Sequence, residues 1–367
     1  MNHLEAWGYD SSHADAFASI PVDGAVPARV IEEQRDGYRL QTEDGVRRAQ
    51  ASGRMRHEAY SKEDLPAVGD WVVFTQPPGS EHGVIHGVIH GVLPRRTALV
   101  RKEAGLTTTG QVIAANVDYV LLLTSLNSDL EPRRIERYLA AIWESGATPA
   151  LVLTKADLCL DVEAPVRALG DIALGVEVHA VSALAGAGLD TLERYLQPGT
   201  TIALVGSSGV GKSTLVNALA GEDVQHVDVI RARDERGQHT TTARRVIRLP
   251  SGALWVDTPG MREFGLWGSG EGLDEVFDDI EHLAAGCRFG DCAHAGEPGC
   301  AVDAAIQDGR LDPERLTAWD KLQRELAFIH RKQSQRAQIE ENRKNRRFSK
   351  MVRSHMKAKR RRQGLDR

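Results

Sequence analysis

The chain has 367 residues, 41% of them hydrophobic and 26% charged, a length that exceeds what one core usually serves and points to two or three domains. Four cysteines are too few for a secreted disulfide framework, no run nears the roughly 18–20 apolar residues of a membrane span, and the N-terminus lacks the basic-then-apolar order of a signal peptide; a soluble cytoplasmic protein with no membrane association is expected. The formal charge of −5 hides an asymmetry, since residues 321–367 hold 17 Lys and Arg against 4 Asp and Glu while residues 1–320 hold 29 against 47. An acidic body with a basic tail is the pattern of a polyanion-binding arm on a globular protein.

In chain order, residues 1–23 read as an N-terminal extension. Residues 24–104 show short β-type runs at 28–33, 38–42 and 71–75, with turn signals at Asp36-Gly37 and Asp44-Gly45, the pattern of a small β-barrel. Arg47, Arg48, Arg54, Arg56 and His57 would suit an oligonucleotide-binding barrel, and a solvated basic face accounts for them equally well. Residues 81–92 repeat a His-Gly-Val-Ile unit that spaces His82, His86 and His90 four apart. Four extended residues span roughly 13 Å, too far for one metal ion, so duplication within a strand or loop is the preferred reading.

Residues 105–268 alternate between strand and helix patterns. A continuous apolar run at 117–124, a helical spacing over 132–145 after Glu131-Pro132, and a second buried-type run at 150–154 predict a mainly parallel sheet covered by helices. Helical patterns surround a cysteine cluster in residues 269–320. Asp312-Pro313 has the form of an N-cap followed by proline at N1, and neither Pro nor Gly interrupts the chain from there to Gln363, so a long basic helix with a frayed end is expected to run into the tail, residues 321–367.

The apolar run 201–205 leads into Gly206, Ser207, Ser208, Gly209, Val210, Gly211, Lys212, Ser213 and Thr214, the strand, glycine loop and helix start of a P-loop. Glycine lets backbone amides close around phosphates, Lys212 supplies a point charge to the outer phosphates, and Ser213 offers a hydroxyl to Mg²⁺. Asp257-Thr-Pro-Gly260 follows a second strand-like run, so that Asp257 would hold Mg²⁺ through water and Gly260 would offer its N–H to the γ-phosphate. Between them lies Gln238-His-Thr-Thr-Thr242. Thr241 is taken as the magnesium-side threonine, with Thr240 and Thr242, or a plain polar loop, as alternatives.

Base selection is assigned to Thr154, Lys155, Ala156 and Asp157 at the end of the strand 150–153. The Asp157 carboxylate accepts from N1–H and the 2-amino group of guanine, a pair of donors that adenine lacks, which favours GTP over ATP. Lys155 would lay its stem along the base, and Ser182 and Ala183 would supply backbone amides to guanine O6. These base-reading loops precede the phosphate loop, the reverse of the conventional order, as in a circularly permuted chain.

Cys287, Cys292, His294 and Cys300 offer three thiolates and an imidazole, a complete tetrahedral set for a structural Zn²⁺ with no open position for water. Unliganded cysteines are the alternative, because the spacing is not that of a common zinc finger. Cys159, isolated, reads as packed. The tail arginines and lysines suit salt-sensitive contact with RNA phosphates.

On these motifs the chain resembles the ribosome small-subunit-dependent GTPase A family along nearly its whole length. The resemblance implies a multidomain α/β fold with an N-terminal OB-type barrel, a circularly permuted P-loop GTPase domain and a C-terminal helical zinc-binding domain. It also implies a monomeric bacterial factor that binds the small ribosomal subunit and its 16S rRNA late in maturation and hydrolyses GTP to GDP, with Zn²⁺ and Mg²⁺ as cofactors. Two positions depart from expectation: Thr154 stands where asparagine is usual, and Met261 stands where many GTPases carry a water-orienting glutamine. Lys212 and His239 are therefore the candidate catalytic residues, His239 as the water-orienting group; an exposed loop histidine is the alternative. An rRNA-binding assembly protein with incidental turnover, or a permuted GTPase switch with a non-ribosomal partner, are the competing functions.

Overall fold

A computed structural model describes residues 3–59, 61–76, 87–102, 110–126, 130–170, 173, 175–221, 244–257 and 271–331. The first helix, α1 (Ser11–Ala18), is capped by Asp10, whose carboxylate accepts from His13 N–H while the His13 ring faces the Asp10 N–H. Strands β1 (Val26–Gln34), β2 (Gly37–Thr42) and β3 (Gly45–Ala51), a short helix α2 (Gly53–Glu58), and strands β4 (Trp71–Thr75) and β5 (Gly87–Val92) follow. They pair in the order β1-β2-β3-β5-β4, and a further β4–β1 ladder closes the ring into a five-stranded barrel. Ala28, Val30, Leu40, Ala49, Val72, Phe74 and Ile89 fill it. The barrel expected from the sequence is present, with Val26–Gln34 and Trp71–Thr75 as two of its strands. His90 lies on β5 with Nε2 2.8 Å from Thr75 Oγ1, whereas His82 and His86 fall outside the described residues.

A hairpin of β6 (Ala98–Lys102) and β7 (Gly110–Ala115) leads into β8 (Tyr119–Ser125), α3 (Pro132–Glu144), β9 (Thr148–Thr154), α4 (Glu163–Gly170), β10 (Glu177–Ala180), β11 (Thr201–Gly206), α5 (Lys212–Ala220), β12 (Arg244–Arg248) and β13 (Leu254–Asp257). Strands β10, β9, β8, β11 and β13 are parallel neighbours in that order, with β12 antiparallel beside β13. On β8, Leu122 belongs to the core on one face, and Leu121 and Leu123 to the core on the other. Burial on both faces explains why this strand reads as an unbroken apolar run. β12 also pairs with β1 of the barrel through Glu33↔Arg244 and Glu32↔Arg245, so among the described residues one continuous sheet of 11 strands spans both domains.

A buried arginine lies at the domain junction. The Arg29 side chain, 1% exposed, donates to Gly69 O at 3.3 Å, Asn116 O at 3.3 Å, Thr201 Oγ1 at 2.9 Å, and Trp7 O. Burial lowers its pKa to about 10, with the Asp118 and Asp70 carboxylates acting against that shift, so it stays charged at neutral pH.

Helices α6 (Glu271–Val276), α7 (Asp278–Ala284), α8 (Ala301–Gln307) and α9 (residues 313–331) complete the described chain. Asp312 caps α9 as expected, its Oδ1 accepting from Glu314 N–H at 2.9 Å. The C-terminal helices dock on α3 through ions: Arg315 reaches Glu136 at 2.7 Å and both oxygens of Asp279 at 2.8 Å, Arg133 reaches Asp312 at 2.7 Å, and Arg137 reaches Glu325 at 2.7 Å. Burial raises the Glu136 pKa, while Arg133 and Arg315 oppose the shift. No helix among the described residues is long and apolar enough to cross a membrane.

Candidate active site and metal centre

Because β9, β8, β11 and β13 are parallel, their C-terminal ends open on one edge of the sheet. There the structure gathers Thr154, the glycine loop and Asp257. Gly206 ends β11 with φ +154°, and a Cβ there would lie 2.4 Å from Leu123 O; Gly211 begins α5 at φ +105°. Only glycine fits the first position without moving a central strand. Lys212 Nζ donates to Gly206 O at 2.7 Å and to Ser207 O at 2.6 Å, so the ammonium lies over the loop. Ser208, Gly209, Ser213 and Thr214 are exposed around it, and Val210 is buried. The amides at the start of α5 make this edge a ready anion site.

The segment that the sequence assigns to base selection turns sharply after β9. Lys155 adopts the left-handed conformation at φ 59°, ψ 38°, and Ala156–Leu158 form a single 3₁₀ turn that leaves Asp157 exposed. Ala156 N–H is bonded to Val181 O at 3.1 Å. The buried Ser182 hydroxyl accepts from Ala185 N–H at 3.1 Å, and its own proton goes to Asp157 Oδ1 at 2.5 Å. Asp157 is thus oriented by a side chain that the sequence suggested only as a source of backbone amides; Ala183 lies half-buried beside it.

Thr154 is 4% exposed, and its hydroxyl donates to Val210 O at 2.6 Å, with Thr124 O at 3.3 Å as a weaker alternative. This ties the end of β9 to the glycine loop. Asp257 ends β13 in register with Arg245, whose Nη2 is 3.7 Å from the carboxylate. Gln238, His239, Thr240, Thr241, Thr242, Gly260 and Met261 lie outside the described residues, as does the tail from residue 332 onward.

The ligand atoms of Cys287, Cys292, His294 and Cys300 all lie within 4.8 Å of one another. Cys287 Sγ and Cys300 Sγ are 4.0 Å apart, and His294 Nδ1 is 3.6 Å and 3.5 Å from them. A tetrahedron with bonds of about 2.3 Å has edges near this length, so the residues fit a four-coordinate metal. Ala301 N–H and Asp303 N–H point at Cys287 Sγ and Cys300 Sγ from 3.4 Å and 3.3 Å. Glu297, which no spacing rule singled out, accepts from Ala293 N–H at 3.0 Å and Ala295 N–H at 2.7 Å. It thereby braces the turn that holds His294 at φ 56°.

A P-loop and a second-strand aspartate on a parallel sheet, with β8, β9 and β10 preceding the P-loop strand in the chain, have the arrangement of a circularly permuted P-loop GTPase. The sequence pattern of the RsgA GTPase family matches residues 92–267. A "Small ribosomal subunit biogenesis GTPase RsgA" of Streptomyces coelicolor is 44% identical over 98% of this chain and 97% of its own. The solved structure of YjeQ from Thermotoga maritima is 25% identical, with a TM-score of 0.60 over 83% of this chain and 99% of that one. YloQ, described as a circularly permuted GTPase, shares the fold at 23% identity, TM-score 0.56, with 85% and 96% coverage. The chain belongs to the RsgA family of small ribosomal subunit biogenesis GTPases.

Proposed function

We propose that this protein binds the nearly finished small ribosomal subunit in its GTP-loaded form, contacts 16S rRNA, and leaves when GTP is hydrolysed to GDP and phosphate. The observation that carries the reading is the convergence of the glycine loop, the Thr154–Asp157 segment and Asp257 on one sheet edge. Gly206, Ser207, Ser208, Gly209, Val210 and Gly211 cradle the phosphates with Thr214, and Gly260 meets the γ-phosphate. Lys212 turns from the loop carbonyls to the β- and γ-phosphates, where its charge offsets the negative charge that builds on the leaving oxygen. Asp157, with Lys155, Ala156, Ser182 and Ala183 around it, reads guanine, and Thr154 holds that loop against the phosphate loop. Ser213, Asp257 and Thr241 hold Mg²⁺, which neutralises phosphate charge when bound.

Water attacks the γ-phosphorus as the bond to the β–γ bridging oxygen breaks, and His239 orients that water in place of the glutamine that Met261 replaces. Cys287, Cys292, His294 and Cys300 hold a structural Zn²⁺ that fastens the C-terminal helices. The basic tail supplies salt-sensitive affinity for rRNA, and the protein acts as a cytoplasmic monomer.

The test is GTP turnover by the purified protein with and without isolated small subunits, with ATP in parallel. Strong stimulation confined to GTP is expected. Tight subunit binding without stimulation would replace this reading with that of an assembly protein whose turnover is incidental. Absence of subunit binding in every nucleotide state would point to a non-ribosomal partner.

A further inference from the structure

Strands β12 and β13 run antiparallel, with Val246 opposite Val256, Ile247 opposite Trp255 and Arg245 opposite Asp257. Side chains directly opposed across such a pair share a face, and faces alternate along each strand. Val246 and Val256 enter one core, whereas Trp255 enters the other together with Leu204, Val210 and Leu215. Arg245 and Asp257 therefore lie on the face that the glycine loop and α5 cover, where phosphates would be held.

Arg245 Nη2 is 3.7 Å from an Asp257 carboxylate oxygen, and the two side chains are 29% and 25% exposed. That separation is an ion contact beyond hydrogen-bond range, in a partly solvated position where such pairs are readily loosened. Arg244 lies on the opposite face and is committed to Glu33 at 2.9 Å and Gln111 at 3.1 Å.

The phosphate edge thus holds a carboxylate with a cation of its own. A bare Asp257 would repel the phosphates of a nucleotide that arrives without Mg²⁺. A guanidinium stays charged at every working pH and, tethered on β12, does not depend on the supply of metal. A carboxylate accepts through two oxygens, so Asp257 can serve Arg245 and metal-bound water in turn.

Resting on the reading that Asp257 holds Mg²⁺ through water, we propose that Arg245 is the resident counter-ion of that aspartate: it neutralises Asp257 while the metal is absent and yields the carboxylate when the metal binds. Arg245 acts through Asp257, as a positioning residue. The affinity of the Mg²⁺-free protein for nucleotide then follows the net charge of the pair. Nucleotide and Mg²⁺ strengthen each other's binding by one and the same factor, and that factor is smaller than it would be beside an unneutralised carboxylate.

The experiment measures binding of a fluorescent, non-hydrolysable GTP analogue to the full chain at low ionic strength, with excess chelator and again with saturating Mg²⁺. The pair is neutral in the wild type, negative in Arg245→Gln, positive in Asp257→Asn and neutral again in the double variant. Without Mg²⁺, Arg245→Gln is expected to weaken binding about fivefold, Asp257→Asn to strengthen it by a similar factor, and the double variant to return to the wild-type value. With Mg²⁺ the loss in Arg245→Gln is expected to disappear, so that the effect of the metal on affinity rises about fivefold. Arg245→Lys, which keeps the charge, is expected to match the wild type in both conditions, and matched melting curves verify that each variant folds.

Unchanged Mg²⁺-free affinity in Arg245→Gln would overturn the proposal. So would a double variant as weak as Arg245→Gln, because Arg245 would then not act through Asp257, and so would an equal loss with and without Mg²⁺, which would make Arg245 a direct phosphate ligand or a fold contact. An Asp257→Asn variant that keeps the full Mg²⁺ effect would instead remove Asp257 from the metal site, and with it the reading beneath the proposal. Collapse of the Mg²⁺ effect in Asp257→Asn, with Arg245→Gln behaving as wild type, would leave that reading standing and overturn the counter-ion alone.

Discussion

The Thr154 hydroxyl donates to the carbonyl of Val210 at 2.6 Å, so the strand that leads into Asp157 is bonded directly to the glycine loop. Thr154→Val keeps the shape and removes the bond. A buried hydrogen bond of this kind contributes about 1 kcal/mol, so GTP affinity is expected to fall roughly fivefold, with GDP affected alike because the brace serves loop geometry and not the γ-phosphate. Isothermal titration of both nucleotides checks this; loss of GTP affinity alone would contradict it.

Asp157 accepts the Ser182 proton at 2.5 Å and remains exposed for a base. Asp157→Asn exchanges an acceptor for an amide that can donate. GTP affinity should drop on the order of 10²-fold, two charge-assisted hydrogen bonds being worth about 3 kcal/mol, while xanthosine triphosphate, with a carbonyl in place of the 2-amino group, gains affinity. A competition assay between the two triphosphates is decisive, because a merely unfolded variant would bind neither.

Lys212 contacts two loop carbonyls at 2.6–2.7 Å and is the only P-loop cation. Lys212→Ala is expected to lower subunit-stimulated turnover by about 10²–10³-fold. Single-turnover measurement at saturating GTP separates this loss from weaker binding.

Much of this was readable in advance because it is local. A P-loop is a short run whose neighbours in sequence are its neighbours in space, and a strand buried on both faces, such as Tyr119–Ser125, announces itself by an unbroken apolar run. Gly45–Ala51 and Gly87–Val92 were not singled out as strands, since Arg47, Arg48, His90 and the glycines dilute the alternation that marks a half-buried strand. The seam between barrel and GTPase sheet joins Glu33 to Arg244, 211 residues apart, and no local pattern encodes such a pairing. The same holds for Ser182 with Asp157 and for Glu297 beneath His294. Their value comes from the tertiary turn that brings them together.

Arg315 bridges Glu136 and Asp279, and Glu136 Oε2 already lacks a hydrogen-bond partner among the described residues. Arg315→Met would leave the buried Glu136 carboxylate with Arg133 at 2.9 Å as its remaining ion partner, at a cost of about 1–3 kcal/mol, and loosen the docking of the C-terminal helices on α3. The double variant with Glu136→Leu is expected to recover most of that stability. Urea titration of the singles and the double supplies the cycle.

The His13 imidazole is held near 4 by burial first and the Arg96 cation second, with Asp10 acting the other way. An unfolded histidine titrates near 6.5. The unfolded chain thus binds more protons between these values, so stability is complete above pH 6.5 and falls as the pH is lowered toward 4, by on the order of 3 kcal/mol. Replacing His13 with glutamine should flatten the dependence of the urea midpoint on pH in that window.

Arg29 serves Trp7, Gly69, Asn116 and Thr201 at once, and these belong to the N-terminal extension, the barrel, the approach to β8 and the root of the P-loop strand. Its consequence is evolutionary as much as mechanical. A barrel grafted from an unrelated protein would arrive without the guanidinium, leaving acceptors in three other segments dry and unmet. The three units are therefore expected to be inherited together, because a barrel without Arg29 would lack the group that joins them.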